Sequence, residues 1–106
     1  MKTKEEILDF LEKNNCNQEL INDVKGICGY YCIAQSYKEN GVEFTELALQ
    51  ALQHEKAKSG WDVRWIAQSY KENGVEFTEL ALQHEKAKDG WDVYKIAQEM
   101  FKEGNN

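Results

Sequence analysis

IAQSYKENGVEFTELALQ at residues 33–50 returns letter for letter at residues 66–83, and this duplication decides the fold. HEKAK recurs at 54–58 and 84–88, GWDV recurs from Gly60 and from Gly90, and a half copy, VYKIAQEMFKEG, runs from Val93 to Gly104. A repeat of 20–50 residues marks a chain built of supersecondary units, each burying its apolar face on its neighbour. Inside the unit the period is helical. Val63, Ile66, Ala67 and Tyr70 fall at i, i+3, i+4 and i+7, one face of a helix. Asp62 is the expected N-cap of this helix A, with Trp61 and Ile66 as a hydrophobic staple and Gly74 as its stop. A loop of about four residues then leads to helix B, expected from Thr78 as N-cap with Phe77 and Leu82 as staple, to Gly90. Trp91, Asp92 and Ile96 repeat the start of helix A after a two-residue link.

The prediction is an all-α, helical-hairpin repeat array, a short α-solenoid of seven helices with a two-helix N-terminal cap. Its 106 residues form one domain: cap 1–26, first repeat 27–60, second repeat 61–90, and C-terminal half repeat 91–106. In the cap, Thr3 and Glu6 form a capping box, and Ile7, Leu8, Phe10 and Leu11 line a helix ending near Asn14. A second helix runs from about Asn17 to Lys25 with Leu20, Ile21 and Val24 inward. Gly26 and Gly29 bracket a short linker, after which Tyr30, Ile33, Ala34 and Tyr37 reproduce the helix A face. The first helix B carries an additional triplet, Ala51-Leu52-Gln53, so one continuous helix is expected from about Glu46 to Lys58. Three residues advance a helix by about 300°, which skews His54 and Ala57 by roughly 60° from His84 and Ala87.

Thirteen basic and nineteen acidic residues give a net charge of −6, spread along the chain. A basic footprint for direct nucleic-acid binding is absent. No apolar run approaches the ~18 residues of a membrane span, and the N-terminus MKTKEEILDF is charged, so a cytoplasmic location is expected. Cys16, Cys28 and Cys32 are odd in number and unlike zinc-ligand spacing, which leaves reduced, core-packed thiols as the expectation. His54 and His84 are repeat mates beside Leu47 and Leu80 and read as packing residues. No carboxylate, nucleophile and base stand in a pattern that reaction chemistry needs, so no enzymatic activity, cofactor or metal is expected.

Residues flanking the apolar stripe carry the candidate site. Tyr31, Arg64 and Tyr94 take one equivalent position on successive A helices, and Gln35, Gln68 and Gln98 lie one turn further on. Trp65 is expected nearly opposite the core face, with Trp61 and Trp91 buried as staples. An exposed tryptophan beside arginine and tyrosine has the composition of a binding hot spot.

FLEK at Phe10–Lys13, Glu19-Leu20 and IAQSYKENGVEFTEL give residues 1–49 a resemblance to the leader-peptide family related to nitrile hydratase. That resemblance implies a helical recognition domain for peptide-modifying enzymes. The hairpin also resembles a tetratricopeptide unit, through Val63, Ile66, Ala67 and Tyr70 on helix A and Leu80, His84 and Ala87 on helix B. This second resemblance implies protein or peptide binding. The expected function is therefore a non-catalytic module for a protein or peptide partner. The alternatives are an acidic inhibitor occupying a partner's nucleic-acid-binding surface, and a leader-type recognition domain. Near-identical hairpins also admit a homodimer formed by helix exchange.

Overall fold

The structure, a computed structural model, describes residues 3–51, 56 and 58–104. Over these residues it holds seven helices and no strand: α1 Lys4–Lys13, α2 Gln18–Lys25, α3 Ile27–Asn40, α4 Val42–Gln50, α5 Gly60–Asn73, α6 Val75–Leu82 and α7 Gly90–Gly104. The Thr3 side chain accepts from Glu6 N, and Thr3 N donates to the Glu6 carboxylate, so the expected capping box opens α1. Asn17 caps α2 through Glu19 N at 2.8 Å, as its place ahead of an apolar run suggests. An eight-residue helix is marginal alone. Its stability comes from Leu20, Ile21 and Val24, all buried, each contributing about 1.5–3 kcal/mol when removed from water.

The two copies fold alike. Gly41 and Gly74 form single-residue junctions at φ 94° and 90°, a backbone region that suits glycine, and the second helix of each hairpin starts immediately afterwards. The four-residue loop is therefore replaced by one glycine, and helix B begins at Val75 rather than after Thr78. Thr78 lies inside α6, where its buried hydroxyl pairs with that of Ser69 at 2.7 Å; Thr45 and Ser36 do the same at 2.9 Å. Buried hydroxyls need such partners, and each hairpin supplies its own. Asn40 and Asn73 add a bond to the same serines.

Helix B also ends early. Helix α6 stops at Leu82, and residues 84–89 follow without helix, held where Lys56 Nζ donates to the His84 carbonyl and Ala87 is buried. With 14 and 8 residues, α5 is about 21 Å long and α6 about 12 Å, so the irregular segment covers the remaining return to the start of α5. His84 is half-buried and its Nδ1 accepts from Lys86 N; Leu80, expected beside it on the inner face, is 49% exposed. In the first copy helix α4 starts at Val42 instead of Glu46, with Ala51 as its C-cap. The expected continuous helix to Lys58 is not formed, since α4 ends at Gln50 and neither Lys56 nor Lys58 is helical, while the skew of His54 and Ala57 lies outside the described residues.

Helix α5 is the centre of the molecule and packs on α3, α4, α6 and α7. Val63, Ile66 and Ala67 are fully buried and Tyr70 nearly so, which is the face that periodicity assigned. Ile33 and Tyr37 on α3, and Val93 and Ala97 on α7, continue that core.

The starts of the long helices interlock. Ser59, not Asp62, is the N-cap of α5, and Asp62 is the third residue of a capping box, its carboxylate accepting from Ser59 N at 3.1 Å and from Lys58 N at 3.0 Å. Its other oxygen accepts from Gly90 N, the first residue of α7, at 2.7 Å. A β-carbon on Gly90 would stand 2.6 Å from the Asp62 backbone, so only glycine admits this approach. The preceding step is built differently. Position 29, the repeat mate of Asp62, is a glycine, and Asp23 from α2 fills the role by accepting from Gly60 N at 2.7 Å. Helix α3 itself begins at Ile27, directly after Gly26, so the predicted linker is reduced to one residue. No helix is long and apolar enough to cross a membrane among the described residues.

Candidate interaction surface on the long helices

Because α5 begins at Gly60, Trp61 lies in its first turn and one turn before Trp65, so the two indoles share a face. Trp91 holds the position of Trp61 on α7. The expected burial pattern is thereby inverted: Trp61 and Trp91 are 43% and 37% exposed, while Trp65 is half-buried between them and Tyr94. Trp65 meets Trp91 edge-on with centroids 4.4 Å apart, Tyr94 at 5.2 Å and Trp61 at 6.1 Å. Trp91 and Tyr94 stack nearly parallel at 5.7 Å, and Lys95 Nζ lies over the Trp91 ring at 5.6 Å. Edge-to-face and offset-stacked arrangements match the ring quadrupole and contribute about 0.5–1.5 kcal/mol per pair beyond burial.

Carboxylates link this cluster to the other predicted residues. Arg64 grips Glu39 of α3 with two bonds, Nε to Oε2 at 3.0 Å and Nη2 to Oε1 at 2.7 Å, and Gln35 donates to the same carboxylate at 2.9 Å. The Gln35 amide, and after it the Arg64 guanidinium, hold the Glu39 carboxyl below its usual range, against an opposing push from burial. One unit further along, Gln68 donates to Glu72 at 2.8 Å and the Tyr94 hydroxyl donates to the same oxygen at 2.9 Å. Burial, followed by Glu72, pushes the Tyr94 phenol upward. The Arg64–Glu39 pair is about one third exposed on each side, so it orients side chains more than it stabilises the fold.

Of the seven residues singled out from sequence, Trp65 and Tyr94 touch directly, Gln35 and Arg64 meet through Glu39, and Gln68 and Tyr94 meet through Glu72. Tyr31 is 62% exposed and Gln98 half-buried; neither hydrogen-bonds or makes a ring contact with the others. Glu72, which the sequence places on the side of Trp65, joins the surface, and Glu39, Trp61, Trp91 and Lys95 complete it without having been assigned to it from sequence. The glutamates were signalled by standing four residues after Gln35 and Gln68, one helical turn away. A cleft of about 170 Å³ opens between Glu39, Trp61, Arg64, Trp65 and Gln68. It is walled by two indoles and rimmed by an amide, a carboxylate and a guanidinium, which suits one inserted side chain with polar neighbours.

The cysteines divide. Cys16 is buried, as expected, with its Sγ 3.5 Å from the Leu49 carbonyl oxygen, but Cys28 is exposed and Cys32 half-buried, so neither belongs to the core. All three are free thiols. Among the described residues no group of three or more His, Cys, Asp or Glu side chains is placed to hold a metal ion. No protein-family model matches the chain, and neither the curated proteins nor the solved structures contain a detectable match.

Proposed function

We propose that the chain is a short α-solenoid that binds a protein or peptide, without catalysis, through the surface centred on Trp65. The observation that carries this reading is the grouping of two exposed indoles, a half-buried third and a tyrosine on adjacent helices. Large rings kept partly in water gain by being covered, and tryptophan, tyrosine and arginine dominate the residues on which binding energy concentrates.

Peptides selected from a displayed random library on the intact protein test the reading. The double replacement Trp61→Ala, Trp91→Ala should lower their affinity at least about 30-fold, the equivalent of ~2 kcal/mol, while circular dichroism at the binding temperature still shows the helical fold. Affinity that survives the double replacement would place the site elsewhere. Affinity that instead collapses between 50 and 500 mM salt would favour the acidic-inhibitor reading, since screening weakens exposed charge contacts far more than ring burial.

A further inference from the structure

Positions 28 and 32 on α3 are the repeat mates of positions 61 and 65 on α5, so the first unit presents two thiols where the second presents two indoles. Both thiols are free, and both are outside the core. They stand one helical turn apart, which sets their β-carbons about 5–6 Å from each other. That span decides what the pair can do. A disulfide needs β-carbons about 3.5–4.5 Å apart, so oxidation to an internal bridge would require α3 to unwind. A cation bridging two sulfurs reaches further, because two metal–sulfur bonds of about 2.3 Å separate the sulfurs by up to ~4.6 Å. Zinc is a poor fit, since its structural sites take four ligands and no third donor is grouped with this pair among the described residues.

We propose that Cys28 and Cys32 form a two-thiolate site for a soft d10 cation with a linear preference, of which Cu(I) is the type. On binding, two S–H bonds break, two metal–sulfur bonds form, two protons pass to solvent and no electron is transferred. The site is independent of the peptide-binding reading, although it borders the same surface.

Anaerobic titration of the intact, reduced chain with Cu(I) against bicinchoninate as competitor tests the site. One ion per monomer is expected, with affinity falling at least about 100-fold in Cys28→Ser and again in Cys32→Ser, because either change removes the chelate. Preloading with Cu(I) should also protect Cys28 from iodoacetamide in the native protein. This alkylation measurement remains informative if Cys32→Ser fails to fold. A single serine variant that keeps its affinity within threefold overturns the proposal. So does one ion held between two chains, or a chain that loses the ion to the competitor at every ratio.

Discussion

Replacing Asp62 with alanine should destabilise the fold far more than the same change at its repeat mate Asp92. Asp62 is 6% exposed, and its carboxylate closes the capping box of α5 through Ser59 and Lys58 while accepting from Gly90 N at 2.7 Å. Losing a cap costs about 1 kcal/mol, and leaving the buried Gly90 amide without an acceptor costs about 1–3 kcal/mol, a total of about 2–4 kcal/mol. Asp92 also accepts from Lys88 N and stands 3.7 Å from Lys95 Nζ, but no further helix start is bonded to it in the described residues. Asp92→Ala should therefore cost only about 1 kcal/mol. Urea titration measures both values, and thermal melting should show a loss of roughly 10–20 °C for Asp62→Ala. Two variants within about 0.5 kcal/mol of each other would refute the view that this one carboxylate joins α5 to α7.

Further expectations follow from the same contacts. Trp65→Ala should cost about 2–3 kcal/mol in urea titration, because it removes the ring against which Trp61, Trp91 and Tyr94 pack, whereas the more exposed Trp61→Ala should cost under about 1 kcal/mol. Gly60→Ala places a β-carbon 2.3 Å from the Gly29 carbonyl oxygen and should shift the midpoint further than Gly74→Ala, which has open space and suffers only its positive φ, at about 1–2 kcal/mol. Stability should fall between pH 10 and 12. Burial first, then Glu79, pushes the Tyr70 phenol up to about 12, so the unfolded chain ionises near pH 10 while the folded chain stays protonated, and stability present below pH 10 is lost as pH rises. Comparing unfolding free energies at pH 9 and 11 checks the sign, and Tyr70→Phe should flatten the slope.

Tryptophan placement shows where the sequence stopped short. Trp61 reads equally well as a staple residue before an aspartate cap or as a first-turn residue after a serine cap, since Ser59 and Asp62 have capping-box spacing. The choice moves the helix start by only three residues, yet it puts Trp61 on the face of Trp65 and reverses which indole is covered. A similar ambiguity hid Cys28, placed in a linker by its two flanking glycines and found inside α3.

The sequence by itself determined the all-helical fold, the seven helices found in the described residues, the capping box of α1 and the buried stripe of α5. Duplicated letters, 3.6-residue periodicity and local capping chemistry act over a few residues and need no partner. Tertiary structure decided where the long helices begin, where α6 ends and which rings meet water. Glycine costs about 1 kcal/mol inside a helix, so Gly60 and Gly90 read as stops. In the fold they open helices, because Asp23 and Asp62 bond their amides at distances that any side chain would block.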